Sequence, residues 1–595
     1  AVCRAANNRM VDQWLTTGLS LLEKRGPDSG GSYIHKNVCL GARRLRVYDL
    51  SDRADQPMHS RDKNYQLVFN GAIFNYRQLR TELESLGHHF TTEGDTEVVL
   101  NALMQWGIEA LPRFDGMFAL AWHNRQANLL VLARDRFGIK PLYVFQSSEG
   151  ILFSSEIKPL LAHPSVPRRV NEESLPEFVA FQMVTPPKTL FQGILCVRPG
   201  RSLSIQTSRP TEFEEKTYWQ IDQSFLEQRD IPCFEDAIIE SIERCWDADR
   251  SVSIQLSGGV DSSLITAISH DILNRKEISS FSVVFDDNTN RFAPPRSEAA
   301  YIEHVNHRYV KNPHISQFDP RDISPALPEA IWYNEVPLYS ANTILYLLHA
   351  KEICQKTTVL LSGEGADDIY LGYFDGVDFN NDPDSLSQFY VKKDQLIGLF
   401  GAHGFKKAGA NRRALLSKKR LDGMTLPQKA SVLTVETVLH GLLARHDRML
   451  MSQSIEGRPP FCSENMLRAR FALPDNMVHS KKKGKIAVRK FAERFFNKDF
   501  VYRPKRWLAG PVSDWCANPL IWRGYVESVD TQVLGNYLNP NDFCETLDLP
   551  DTFEKWSGKN LALMFSLTNL SLWHKIFIED QNPVSEEAWR SVVVN

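Results

Sequence analysis

Residues 256–263 read Leu-Ser-Gly-Gly-Val-Asp-Ser-Ser, and their types suit the cradling of an anion. Gly258 and Gly259 let the backbone come close to phosphate oxygens, while Ser257, Ser262 and Ser263 offer hydroxyl donors. Ahead of the loop, Ser251-Val-Ser-Ile-Gln-Leu256 alternates like a strand. After it, the apolar spacing is that of a helix, whose N-terminus adds partial positive charge. Asp261 is the exception, because a carboxylate repels a phosphate unless a cation stands between them. Mg²⁺, held by one or two carboxylates plus phosphate oxygens, is the natural mediator. The loop lacks the Gly-Lys-Ser/Thr ending of kinase-type phosphate loops, which argues against γ-phosphoryl transfer. The plainer reading of the stretch is a Gly/Ser-rich turn without a ligand.

The elements that must position such a loop change character along the chain. Up to about residue 205 the pattern predicts short strands at Tyr65–Phe69, Met117–Trp122, Leu129–Arg134, Leu142–Phe145 and Ile151–Ser154. Turn signals at His123-Asn124-Arg125 and Ser147-Ser148-Glu149-Gly150 separate them, so antiparallel sheets are expected. From about residue 230, buried strands at 251–256, Ser280–Phe285 and Thr358–Leu361 alternate with helical stretches, as parallel βαβ units do, and the last ~200 residues read as mainly helical. The polar stretch Thr207–Gln228 is the expected junction. The division is therefore 1–205, a linker at 206–229, and 230–595.

Bulk properties narrow the partners. The chain has 595 residues, 43% hydrophobic, with 69 basic against 72 acidic side chains and a formal charge of −3. That balance gives no pull toward nucleic acid or an anionic membrane. No run approaches the ~20 apolar residues of a membrane span, and no signal-peptide pattern opens the chain, so a cytoplasmic protein is expected. Nine scattered cysteines without a Cys-x-x-Cys pair fit a reducing compartment and argue against structural zinc. Lys481-Lys482-Lys483 reads as a solvated loop.

Further motifs follow in order. The first half carries RGPD at 25–28, RRL at 43–45, QPM at 56–58, NGAIFN at 70–75, GDTE at 94–97, FDGMFALAWH at 114–123 and RDRFGIKPLY at 134–143. The second adds LSGEGADDIYLGY at 361–373, EGRPPF at 456–461, KIAVR at 485–489 and RPK at 503–505. Along almost its whole length the chain resembles the glutamine-dependent asparagine synthetase family. The resemblance implies an α+β and α/β fold: an N-terminal αββα sandwich of the N-terminal-nucleophile type, then a parallel-sheet ATP pyrophosphatase domain with a helical C-terminal part. It also implies ATP and Mg²⁺ as cofactors, glutamine and a small carboxylate as substrates, and often a homodimer. ATP adenylates the carboxylate, releasing pyrophosphate, and ammonia from glutamine passes between the domains to form the amide with release of AMP.

Roles carry over residue by residue. Leu256, Ser257, Gly258, Gly259, Asp261, Ser262, Ser263, Val284 and Gly363 match ATP-binding positions, and Asp261 and Asp367 match those that hold Mg²⁺ on the pyrophosphate. Lys485 matches a lysine near the phosphates or the reacting carbonyl. Glu364 matches a glutamate that positions the attacking amine or takes its proton. In the first half, Asn70 and Gly71 match the oxyanion hole, Arg44 the group that binds the glutamine carboxylate, and Asp95 the partner of its α-amine.

Four departures stand out. The family's glutaminase uses an N-terminal cysteine whose own α-amine is the base, whereas this sequence opens Ala1-Val2-Cys3-Arg4. Ala1 reads as the middle of the first strand and Cys3 as a core or strand-end residue. Either the sequence lacks a few leading residues or the nucleophile is missing, and the four surviving partner types favour a working glutaminase. Ala72 stands where the family usually has Glu, which predicts weaker glutamine binding or altered selectivity. Cys462-Ser463 replaces a usual Leu-Asp, and 334–342 departs from the asparagine-making pattern. Both fit either neutral drift or a remade acceptor pocket. A ligase with a silent N-terminal domain, in which an internal amine attacks, is the competing reading, although the β-lactam-forming relatives carry Tyr where Glu364 stands. A catalytically dead scaffold is the third.

Overall fold

The computed structural model describes residues 2–3, 8–227, 231–284, 298–318, 320–338, 340, 342–374, 393–480, 483–503, 534–538 and 558–581. In the first half, alternating side chains build twelve strands: β1 (Val2–Cys3), β2 (Ser29–His35), β3 (Val38–Arg44), β4 (Met58–His59), β5 (Tyr65–Ile73), β6 (Gly116–Asn124), β7 (Leu129–Arg134), β8 (Tyr143–Gln146), β9 (Gly150–Ser154), β10 (Ile194–Cys196), β11 (Arg201–Gln206) and β12 (Glu214–Thr217). They form two six-stranded antiparallel sheets, ordered β10-β8-β9-β1-β3-β2 and β12-β11-β7-β6-β5-β4. Val38 and Leu40 of one sheet meet Ala119, Ala121, Leu130 and Leu132 of the other in a shared apolar layer. The alternate residues Phe118, Leu120 and Trp122 belong to a second core with Val98, Val99 and Leu103 of the helix Asp95–Trp106. The helix Asn8–Leu21 packs on β3 from the other side. An αββα sandwich results, as the resemblance implies.

The second half is built on five parallel strands, β13 (Val252–Gln255), β14 (Ser279–Val284), β15 (Asn312–Gln317), β16 (Val359–Leu361) and β17 (Glu456–Arg458), in the order β15-β14-β13-β16-β17. Successive strands step to one side from β13, then the chain returns to β13's other edge with β16. That reversal opens a crevice at the carboxyl ends of β13 and β16, where ligands bind in open α/β sheets. Helices fill the rest of the described C-terminal region, among them His440–Met451, Glu464–Ala472, Ile486–Ala492 and Gly558–Phe577.

The expected strands are present, with β5 continuing past Phe69 to Ile73, and Phe285 lying outside the described residues. Within the polar stretch expected as the junction, Glu214–Thr217 forms β12 and extends the N-terminal sheet. Among the described residues no helix is long and apolar enough to cross a membrane.

Buried ion pairs join the halves. Asp447 accepts from Arg25 at 2.8 Å and Lys140 at 3.0 Å. Lys158 bridges Glu156 at 2.8 Å and Glu335 at 3.3 Å, and Arg448 stands 3.4 Å from Glu335. Arg458 of β17 lies over the rings of Tyr48 and Phe74, 5.3 and 5.4 Å from their centroids.

Candidate active sites

The phosphate-type loop leaves β13 and enters the helix Val260–Ala267, for which Gly259 is the N-cap. Gly258 adopts φ +78°, a conformation open to glycine at little cost. Its hydroxyls mostly brace the loop. Ser262 Oγ lies 3.1 Å from Ser257 Oγ and accepts from the Ser257 N–H at 3.2 Å, while fully buried Ser263 donates to the Gly258 carbonyl at 3.4 Å. What the loop offers an anion is therefore chiefly its backbone N–H groups and the helix end. Val284 ends β14, next to β13. Gly363, just after β16, packs so closely on the helix start that an added Cβ would meet Asp261 Cβ at 3.0 Å.

Three charged groups converge there from distant parts of the chain. Lys485 Nζ lies 2.7 Å from Asp261 Oδ2 and 2.8 Å from Asp367 Oδ1. Burial opposes its charge, but the two carboxylates outweigh burial and hold the ammonium above its ordinary value. Its backbone is left-handed, φ 54° and ψ 38°, which costs a non-glycine residue about 1–3 kcal/mol and clusters at functional sites. Asp261 and Asp367 thus face one cationic point beside the loop, a donor set that suits a hard divalent ion completing its shell with phosphate oxygens. Among the described residues no cluster of three or more acidic, His or Cys side chains could hold a metal by itself.

Glu364 is on the same β16 loop. Its Oε1 accepts from Arg445 at 2.9 Å and from the Tyr346 hydroxyl at 2.8 Å, and Arg445 lies 4.7 Å over the Tyr346 ring. Neither Arg445 nor Tyr346 has a local sequence signal, since each reaches Glu364 from a separate helix. Arg503, inside the RPK motif, donates to the Gly258 carbonyl and pairs with Glu298 at 2.8 Å, tying down the loop. Cys462 is buried, its Sγ 3.8 Å from the Glu364 carbonyl, and Ser463 caps the helix Glu464–Ala472 by accepting from the Met466 N–H at 3.3 Å. Both departures from Leu-Asp thus serve packing and capping around the Glu364 turn.

In the N-terminal half, a cavity of about 160 Å³ is lined by Arg44, Asn70, Gly71, Asp95 and Ser155, together with Glu456 from the C-terminal half. Gly71 has no room for a Cβ, which would strike the Met117 carbonyl of β6. Asn70 Nδ2 donates to Ser155 Oγ at 3.3 Å. Arg44 spends both terminal nitrogens on the loop 48–55: the Tyr48 and Asp49 carbonyls at 2.9 and 2.6 Å, the Ser51 carbonyl at 3.0 Å and Asp55 at 2.9 Å. Burial raises Asp95 to about 7, helped by the charge of Glu456 and opposed by the Ile73 N–H and by Arg458 and Arg44. Ala72 lies in the core and does not line the cavity.

The register of β1 bears on the nucleophile. Val2 pairs with Ile151 and Cys3 with Gly150, antiparallel. Cys3 therefore sits opposite Gly150, at the far end of β9 from Ser154 and from Ser155, which lines the cavity.

Residues 2–219 match the family described as glutamine amidotransferase domain, and residues 234–575 match asparagine synthase. The chain is 29% identical over 514 residues to asparagine synthetase [glutamine-hydrolyzing] 3 of Bacillus subtilis (strain 168), covering 81% of this chain and 82% of that one. It is 27% identical over 611 residues to the same organism's asparagine synthetase [glutamine-hydrolyzing] 1, covering 94% and 93%. A third relative, amidase chyE of Penicillium rubens, is 28% identical over 393 residues, covering 62% of this chain and 56% of that one. With a glutaminase-type sandwich joined to a parallel sheet that ends in a phosphate-type loop, the chain belongs to the asparagine synthase family and is an ATP-dependent, glutamine-using carbon–nitrogen ligase that forms AMP and pyrophosphate.

Proposed function

We propose that the chain activates aspartate, or a dicarboxylate close to it, and converts the side-chain acid to an amide. The observation that carries the catalytic assignment is the convergence of Lys485, Asp261 and Asp367 beside the loop after β13. The loop N–H groups hold the pyrophosphate, and Lys485 places a point charge beside the bond that breaks. Asp261 and Asp367 would hold Mg²⁺, which when bound neutralises charge building on the departing pyrophosphate. Glu364, fixed by Arg445 and Tyr346, orients the incoming ammonia and takes its proton. Arg445 supports the dicarboxylate reading, because its guanidinium is the cationic group beside Glu364 that a second carboxylate would meet.

In the other half, Asn70 Nδ2 and the Gly71 N–H stabilise the oxyanion, Asp95 meets the α-ammonium of glutamine, and Arg44 shapes the loop over its carboxylate. Cys3 is not the nucleophile. A ligase with a silent N-terminal domain gains no support from a cavity that keeps all four partner residues. A homodimer is what the family resemblance implies, and light scattering tests it; a cytoplasmic location rests on the scattered cysteines of the sequence.

The test is AMP and pyrophosphate formation by full-length protein with ATP, Mg²⁺ and a panel of carboxylates, each with glutamine and with ammonium. Aspartate turning over with either nitrogen source is the expected result. Turnover of a carboxylate with neither source present would overturn it in favour of an internal amine.

A further inference from the structure

A second cavity, of about 170 Å³, opens on the N-terminal domain and shares no lining residue with the glutamine cavity. Three turns build it. His35 and Lys36 come from the β2–β3 turn, Arg125 and Asn128 from the β6–β7 turn, and Thr207 and Ser208 follow β11. Hydrogen bonds tie the turns into one cradle. Asn37 Nδ2 donates to the Thr207 carbonyl at 3.1 Å, the Thr207 N–H to the Asn128 carbonyl at 2.8 Å, and the Arg125 N–H to the Asn64 carbonyl at 3.0 Å.

The charge of this pocket is one-sided. Lys36 and Arg125 line it, neither pairs with a carboxylate among the described residues, and no Asp or Glu belongs to the lining. Arg125 uses one terminal nitrogen on the Lys63 carbonyl at 3.0 Å. Burial first, and then neighbouring positive charge, depresses both histidines: Arg125 and Lys36 act on His35, while His35 and Arg125 act on His123, which falls to about 4.

His123 supplies the third observation. It is 3% exposed yet lines the cavity. Gln66 Nε2 donates to the Lys63 carbonyl at 2.7 Å, so its Oε1 faces His123 Nδ1, 2.9 Å away, and Nδ1 must donate. Neutral His123 therefore keeps its proton on Nδ1 and leaves Nε2 bare, and a second proton turns Nε2 into a donor. The groups around it are Tyr33 and His35 of β2, with His59 edge-on to Tyr33, plus Gln66, Lys36 and Arg125. The Tyr33 hydroxyl is buried without a hydrogen-bond partner among the described residues.

We propose that this pocket binds a phosphoryl oxyanion on Lys36, Arg125 and His123, and that His123 takes up a proton as it binds. Donors arriving from two turns and from β6 suit a tetrahedral group with three or more acceptor oxygens better than the two coplanar oxygens of a carboxylate. The bound negative charge repays protonation of His123, so affinity rises as pH falls.

The test is calorimetric titration of full-length protein with inorganic phosphate, pyrophosphate and acetate, at about pH 6 and about pH 8, in buffers of different protonation enthalpy. The account expects phosphate binding with proton uptake at the lower pH, weakened about tenfold or more in the Lys36→Ala/Arg125→Ala double variant. In His123→Gln the proton uptake is lost while ATP–pyrophosphate exchange stays unchanged. Phosphate and pyrophosphate binding alike would mark the phosphoryl unit as the ligand, and pyrophosphate alone would mark the enzyme's own product. Affinity unchanged in the double variant, acetate binding as tightly as phosphate, or pyrophosphate binding lost only on replacing Lys485 would each overturn the proposal.

Discussion

Lys485 and Lys140 are both buried and both meet carboxylates at ion-pair distance, yet only the first has a surplus of charge around it. At Lys485 one ammonium faces two carboxylates, Asp261 and Asp367, at 2.7 and 2.8 Å. At Lys140 one carboxylate, Asp447, faces two cations, Lys140 at 3.0 Å and Arg25 at 2.8 Å, with Glu156 3.4 Å from Arg25 completing the balance. The first cluster lies in the crevice of a parallel sheet beside a phosphate-type loop, on a left-handed backbone. The second is enclosed by elements of both halves. Surplus negative charge at a sheet's open end recruits a cation for chemistry, whereas a closed, nearly neutral network fixes how two domains meet.

The largest expected effect breaks the second cluster. Asp447→Asn leaves Lys140 without its carboxylate and Arg25 with only Glu156 at 3.4 Å, and should cost about 3–5 kcal/mol of stability by denaturant unfolding, with ammonium-dependent activity retained in the cold by the folded fraction. A substitution that leaves stability unchanged would make the interface network incidental. Glu364→Gln should lower amide formation by roughly 10²–10⁴-fold while leaving carboxylate-dependent ATP–pyrophosphate exchange, since the glutamate acts after adenylation. Equal loss of both would move Glu364 into the adenylation step.

Acid sharpens the comparison further. Burial works against the Asp447 charge, but Arg25 and Lys140 override it and hold the carboxyl down at about 2. Its folded value lies below the ordinary 3.8, so its stabilisation, about 2 kcal/mol, is complete above about pH 4 and lost as pH falls through 2. Unfolding curves from about pH 5 to 2 check this against Asp447→Asn, which should lack that component. The smallest effect concerns glutamine. Asp95 ionises at about 7, so kcat/KM for glutamine should rise several-fold as pH rises through that value, while ammonium-dependent turnover lacks the inflection. A flat glutamine profile would remove Asp95 from recognition of the ammonium.

Much of this layout was legible in the chain because its signals are local. Strand, glycine-rich loop and helix are consecutive at 251–267, and the motif at 361–373 carries Gly363, Glu364 and Asp367 together. What escaped is long-range or unpatterned. Asp447 meets Lys140 across 307 positions, and nothing around either residue announces the pairing. Arg445 and Tyr346 read as ordinary helical residues until tertiary packing sets them on Glu364. β12 hid for another reason: all four of its residues are exposed and polar, so an edge strand had no alternation to show. The serines of the loop invited a donor reading, but burial turned Ser263 inward.

The most direct measurement is aspartate-dependent ATP–pyrophosphate exchange, without glutamine or ammonium, in wild type, Lys485→Met and Asp447→Asn. The account predicts exchange in wild type, a fall of roughly 10²–10³-fold in Lys485→Met with the fold intact, and near-normal exchange per folded molecule in Asp447→Asn. Exchange that survives in Lys485→Met, or that vanishes in folded Asp447→Asn, would contradict it.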